Sequence, residues 1–290
     1  MSTLTADRPS RARPAPGTGS SGVTFPRVVV SEWIKFRTVR STIWTLATTV
    51  VLMVGINVLL GWGLSSMGAG RGGGGGNGGP GDVGAADLIT SGYFFAQLTV
   101  AVLGVLAVTG EYTTGMVRST FAAVPKRVPA LLAKALVVTV VVAVVTFVAL
   151  VLSYVATIPF RNKLGLTLDL GDSSTLRVLL GTPLYLATVA LLAFAIGALL
   201  RHSAGALAAV LGLILVVENV FRAIPLTFFE KVSPFLPATA GSRLLVSDAS
   251  LGASAAAGVH LTPWQGYGVM LAWVAVLLTA AIVLLRRRDA

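Results

Sequence analysis

For acid–base, metal or nucleophilic chemistry the chain offers eleven acids, two histidines and no cysteine. Without cysteine there is no disulfide framework, thiolate zinc site or thiol nucleophile. His202 falls in a short basic turn and His260 in a loop, and neither stands in a His-Glu-x-x-His or triad-like setting. Paired acids of the kind that serve prenyl transfer or intramembrane proteolysis are also missing. The glycine run Gly70–Gly81 suggests a phosphate loop, yet no Gly-Lys-Ser/Thr follows it. Its backbone entropy instead predicts a flexible external loop. Covalent and hydrolytic chemistry thus have no residues to stand on, and no cofactor is expected on this chain.

What the composition does support is a membrane protein. Apolar residues make up 55% of the 290, charged residues only 11%, and mean hydropathy is +0.85. A hydrocarbon core of roughly 30 Å needs about 20 helical residues. Six stretches qualify, near Ile43–Leu64, Leu88–Val108, Leu136–Ile158, Val178–Leu200, Ala204–Val220 and Tyr267–Leu285. Lipid gives the backbone no hydrogen-bond partner, so an all-α membrane protein is predicted, and the alternating short strands of a barrel are not seen. Residues 1–25, rich in Pro, Ser, Arg and Gly, predict a disordered cytoplasmic tail without a signal peptide's apolar core.

The net charge of +11 follows from topology. With both termini inside, the inner segments hold fifteen Lys/Arg and only the acids Asp7, Glu32, Glu111 and Asp289. The outer segments hold seven of each sign and cancel. The entire surplus lies on one side, as the positive-inside rule requires, and nucleic-acid binding has nothing left to explain.

The span centres carry no Asp, Glu, Lys or Arg, which argues against a proton- or sodium-coupled carrier. Their milder polar residues, Asn57, Gln97, Ser153, Tyr154, Thr182, Tyr185 and Thr188, suit hydrogen bonds between helices better than a substrate path. Glu218 and Arg222, one turn apart, predict an ion pair at the outer end of the fifth span. The outer segment Phe221–Gly266 carries Phe228, Phe229, Phe235 and Leu236, poor residues for a wet loop, and predicts helix pieces that re-enter the membrane.

Two inner segments remain. Residues Pro26–Thr42 predict a helix with Val29, Val30, Trp33 and Phe36 on one side and Ser31, Lys35 and Thr38 on the other. Arg37 and Arg40 flank the apolar side and can snorkel to headgroups, so this helix is expected at the membrane interface rather than as a plain basic flank. Gly110–Lys134 joins spans two and three with an acid, four bases and two prolines. Thr113–Ala123 can form a short helix, and Pro125, Lys126 and Arg127 break it and hold anionic lipid, as can Lys134. Two readings fit this segment: a rigid element that turns a partner's motion into helix tilt, or a basic loop that anchors topology.

The motifs Ser31-Glu32-Trp33-Ile34-Lys35-Phe36-Arg37-Thr38-Val39-Arg40-Ser41 and Gly110-Glu111-Tyr112-Thr113-Thr114-Gly115-Met116-Val117-Arg118-Ser119-Thr120, with Ala123-Val124-Pro125-Lys126-Arg127, resemble actinobacterial ABC-2-type permeases. These are the membrane subunits of ATP-binding-cassette exporters. The resemblance runs from about Pro26 to Arg288. It implies a connecting helix over Val28–Arg40 with Trp33, Lys35, Phe36, Arg37 and Arg40 at the interface, and re-entrant helices in Phe221–Gly266. It also implies a coupling helix over Thr113–Ala123, with Glu111, Tyr112, Arg118, Thr120 and Phe121 meeting the ATPase. The Gly70–Gly81 run is no part of that pattern.

The expected function is a permease subunit in a bacterial plasma membrane, exporting a hydrophobic or amphipathic compound as a homodimer or heterodimer. ATP and Mg would sit on a separate ATPase subunit. The alternative is a non-transporting immunity or sensor subunit on the same fold, with a membrane enzyme behind both.

Overall fold

The computed structural model describes residues 24–66, 84–113, 115, 127–248 and 261–288, which are mostly helical with no strand among them. Of the tail expected over residues 1–25, residues 1–23 lie outside the described residues, as does the Gly70–Gly81 run, while Phe25 already begins the first helix. Six helices are long and apolar enough to cross a membrane: Arg40–Ser66, Ala85–Thr113, Val128–Ala156, Ser173–Leu200, Ser203–Ala223 and Pro263–Arg287. All six contain the stretches expected from composition except for the last two residues of the third, and most extend a turn or so beyond them at one or both ends. Apolarity marks only the part that needs lipid, whereas backbone hydrogen bonding carries each helix into its polar flanks.

Helix α1, Phe25–Thr38, opens on Pro26, whose fixed φ suits a first turn, and ends at the extended residue Val39. One residue later α2, Arg40–Ser66, begins the first span. The second span is broken into α3, Ala85–Thr90, and α4, Tyr93–Thr113. Then follow α5, Arg127–Ala156, and the short α6, Ile158–Leu164. Helix α7, Ser173–Leu200, is capped by Asp172, which accepts from the Ser174 and Thr175 amides. The fifth span runs as α8, Ser203–Leu211, a π-helical turn over Gly212–Val217, and α9, Glu218–Ala223.

Helix α7 is the hub. Of its most apolar stretch 72% is buried, against 17% for α2 and 22% for each of the last two spans. It packs on α4, α5, α8 and the last helix. Its tightest neighbour is α4, where a Cβ placed on Gly104 would collide with the Ala190 carbonyl oxygen. Gly197 sits equally close to Val105 and Val108 across the same seam. Small residues let two backbones approach, which is the main source of helix association where lipid competes for apolar surface.

The break in the second span is held by Asn57. Its Nδ2 donates to the Ile89 carbonyl at 2.6 Å and to Ser153 Oγ at 2.9 Å, while its Oδ1 accepts from the Gly92 amide at 2.6 Å. A buried helix end leaves such backbone groups orphaned, and one amide side chain satisfies a donor and an acceptor together. Gly92 permits the approach, since any Cβ there would meet the Met53 backbone.

The chain after α9 forms α10, Thr227–Val232, a 3₁₀ turn Ser233–Phe235, α11, Pro237–Ser242, and a second 3₁₀ turn Arg243–Leu245. The last helix, α12, spans Pro263–Arg288. Helix α11 and the turn after it pack against α7 and α12, burying Ala238, Ala240 and Leu244. Ser233 and Leu236 before α11 are buried as well, while Phe228 and Phe235 are exposed on the protein surface.

Replacing Asn57 with Leu should lower unfolding stability by about 2 kcal/mol or more, because an amide and a carbonyl lose their partner inside the bundle. Ser153→Ala removes only one of two acceptors and should cost below about 1 kcal/mol. Detergent-solubilised melting curves of the two variants check the order.

Candidate functional site: a four-charge node at one end of the bundle

Four charged side chains from three elements meet where α1 lies against the ends of the second and third spans. Lys35 Nζ is 2.8 Å from Glu32 Oε1 and 3.4 Å from Glu111 Oε1. Lys134 Nζ is 3.3 Å from Glu32 Oε2 and is also paired with Glu111 Oε1. Each lysine thus touches both carboxylates, and each carboxylate both lysines. Glu32 and Lys134 are buried, at 4% and 9% exposed, while Lys35 and Glu111 are half-buried and reach toward solvent.

Local sequence places each member. Glu32 and Lys35 lie three residues apart on α1, on the face that also carries Val28 and Phe36. That face meets α5 through a small apolar cluster of Val28, Ala130 and Ala133. Lys134 follows one turn later on α5, and Glu111 comes from the last turn of α4. Burial by itself lowers the Lys35 pKa, but its hydrogen bond and charge contact with Glu32, and the same from Glu111, outweigh this and hold it above the ordinary 10.5.

This arrangement revises two expectations. Lys134, expected to hold lipid, is buried between two carboxylates. The apolar side of α1 is split: Val30, Trp33 and Ile34 are exposed, while Phe36 packs onto the core cluster and Val29 onto Val28. The inward face is the charged one because the partners of Glu32 and Lys35 lie inside the protein. Arg37 and Arg40 are exposed beside the outward apolar face. The adjacent Tyr112 ring lies 5.3 Å from the Arg201 guanidinium, linking the end of α4 to the turn between α7 and α8. In that turn Arg201 adopts a left-handed φ of 55°, and His202 Nδ1 caps α8 by accepting from the Gly205 amide.

Of the residues expected to meet an ATPase, Glu111 and Tyr112 are thus brought to the α1 end, whereas Arg118, Thr120 and Phe121 lie outside the described residues. So do most of Thr113–Ala123 and Lys126, and of Arg127 only the backbone, at the start of α5, is described. Glu32 escaped sequence reasoning, although it left a signal. It is one of only four acids on the basic side, and an acid that defies the charge bias of its flank needs cationic partners.

A cavity of about 340 Å³ opens beside the node. Glu32, Lys35, Glu111 and Lys134 form its charged end, and Leu103, Leu106 and Val137 are among its apolar walls. The opposite end of the bundle holds a smaller space of about 30 Å³, room for a single water. There the Tyr185 hydroxyl donates to Gln97 Oε1 at 2.7 Å. Glu218 accepts from the Ala238 amide at 2.7 Å and the Thr239 hydroxyl at 2.8 Å. Arg222 donates to Thr239 Oγ1 instead of pairing with Glu218, which corrects the expected ion pair. The carboxylate is drawn away because the first turn of α11 presents unpaired donors to it. Thr188 and Tyr267 also bond across helices, at 3.0 Å, so this polar set serves packing. Among the described residues no group of acids and histidines could hold a metal ion.

Lys134→Met leaves the buried Glu32 and the half-buried Glu111 with Lys35 alone and should destabilise the protein by about 1–3 kcal/mol. In a double-mutant cycle Glu32→Gln with Lys134→Met should cost clearly less than the sum. The raised pKa of Lys35 sets the pH sign: its contribution is complete below the unfolded value near 10.5 and is lost as pH rises through the higher folded value. The Lys35 share of the melting temperature should therefore hold through neutral pH and be lost as pH rises past that value, a loss that Lys35→Met removes. Compared with known proteins, the chain matches no family model and no curated protein.

Proposed function

We propose that this chain is the permease subunit of an ABC-2-type exporter, a multi-pass protein of a bacterial plasma membrane with both termini inside. It works as a dimer with a separate ATPase and moves a hydrophobic or amphipathic compound without chemistry of its own. The observation that carries this reading is the Glu32–Lys35–Glu111–Lys134 node. It joins α1 and both ends of the connector between spans two and three into one charged unit. A force applied to that connector is passed to α1, α4 and α5 together, because separating them would expose unpaired buried charges. The resemblance of the two flanking motifs to ABC-2 permeases supports the same assignment.

On this reading the exposed Val30, Trp33 and Ile34 of α1 rest in lipid at the inner interface, with Arg37 and Arg40 at the headgroups. Helix α11 and its flanking turns form the external segment that dips back between spans four and six. The ATPase meets the connector beyond Thr113, so Glu111 holds the connector's base and Arg118, Thr120 and Phe121 make the contact.

The test is isolation of the tagged full chain from its native membranes, followed by reconstitution with any co-purifying ATPase in vesicles. ATP hydrolysis should fall roughly tenfold in Arg118→Ala, as expected for losing one contact of about 1.4 kcal/mol. Glu111→Gln should fall similarly, with its melting curve recorded to separate coupling from folding. Wild-type hydrolysis in both variants removes the coupling role. A chain that purifies with no ATPase favours the immunity or sensor reading.

A further inference from the structure

The 340 Å³ cavity beside the node has features that the node itself does not use. Its lining includes Ser41, Thr42 and Thr45 from the first turns of α2. Thr45 donates its hydroxyl to the Ser41 carbonyl at 2.8 Å. The hydroxyls of Ser41 and Thr42 have no partner among the described residues, although Thr42 is only 9% exposed. The Thr42 hydroxyl keeps accessible surface of its own and borders the open cavity. The first turn of a 27-residue helix adds backbone amides and the positive end of its dipole. Hydroxyls and amides form a set of donors suited to a phosphate, and the Lys35 ammonium, bonded to Glu32 and Glu111, adds positive charge nearby. Across the cavity stand the carboxylates of Glu32 and Glu111, suited to a cation. The remaining walls, Phe36, Leu103, Leu106, Ala107 and Val137, are apolar, and Leu106 and Val39 are exposed at the rim.

We propose that this cavity binds the headgroup of a phospholipid carrying both a phosphate and a primary ammonium, with the start of its acyl chains along Leu103, Leu106 and Ala107. Two lysines and two glutamates make a charged end of zero net charge, which complements a zwitterion better than an anion. A primary ammonium donates hydrogen bonds to carboxylates, which a quaternary ammonium cannot do. The quaternary group would need an aromatic cage, and Phe36 is the one aromatic residue in the described lining. The volume lies at the small end of ligand pockets, right for a headgroup and too small for a whole lipid. The phosphate seats at the α2 N-terminus and the ammonium at the carboxylates, so the lipid braces the Val39 corner between α1 and α2. This site does not depend on an ATPase, and its failure would leave the permease reading untouched.

The test uses the full chain in phosphatidylcholine nanodiscs with trace phosphatidylethanolamine bearing a diazirine near the top of one acyl chain. Cross-links mapped by mass spectrometry should concentrate on Leu103–Gly110 and Ser41–Thr45. Unlabelled phosphatidylethanolamine should compete roughly tenfold better than phosphatidylcholine or phosphatidylglycerol. Thr42→Val should weaken this labelling severalfold, and Ala107→Phe, which fills the cavity, should abolish it, both with melting temperatures near wild type. Labels spread evenly over the lipid-facing helices, or equal competition by the three lipids, overturn the proposal. So does unchanged labelling in a folded Thr42→Val protein. Soluble phosphoethanolamine competing as well as the lipid would identify a free headgroup as the ligand and overturn the lipid assignment.

Discussion

The close approach of α4 and α7 is the constraint on which the rest of the bundle depends. Gly104 lies against the Ala190 carbonyl and Gly197 against the Val105 backbone, and larger side chains would hold the two helices apart. Apolar side chains gain little by leaving lipid for one another, so van der Waals contact at short range has to supply the association. Once α7 is seated on α4, its other faces receive α5, α8 and α12, and its burial follows. The outer spans then keep most of their surface exposed, as α2 does with Trp44, Val51 and Trp62.

Polar groups are placed by the same economy of contact. Inside the bundle they are neutral and paired across helices: Asn57 with the α3–α4 break and Ser153, Tyr185 with Gln97, Thr188 with Tyr267. Charges are confined to the helix ends. At one end Glu218 caps a short helix of the chain's own, and at the other two glutamates and two lysines neutralise one another. A buried pair holds its geometry because separation leaves a charge unsolvated. The four-charge node therefore acts as a clasp between α1 and the two helices that flank the connector. The chain turns from α1 into α2 at Val39, the single extended residue between them.

Much of this was legible in the sequence. Helix positions followed from apolar length alone, since each span must satisfy its own backbone whatever its neighbours are. The role of Asn57 and Tyr185 as links between helices was legible too, because a lone polar group in an apolar run has few other uses. The partners were not. That Asn57 would serve a break at Gly92, or that Thr239 would come between Glu218 and Arg222, depends on residues 17 to 35 positions apart.

The same division separates the two views of α1 and the connector. By itself the sequence determined the six apolar helices and the concentration of positive charge on alternate connections. Those properties are local: they depend on composition within a window of about 20 residues. Only the tertiary structure decided that Glu32 and Lys134 face inward, and that a cavity with a charged end and apolar walls lies beside them. Hydropathy ranks both residues as exposed. Burial became favourable only once three separate elements brought two acids and two bases within contact, and charge pairing of that kind is invisible until the chain has folded.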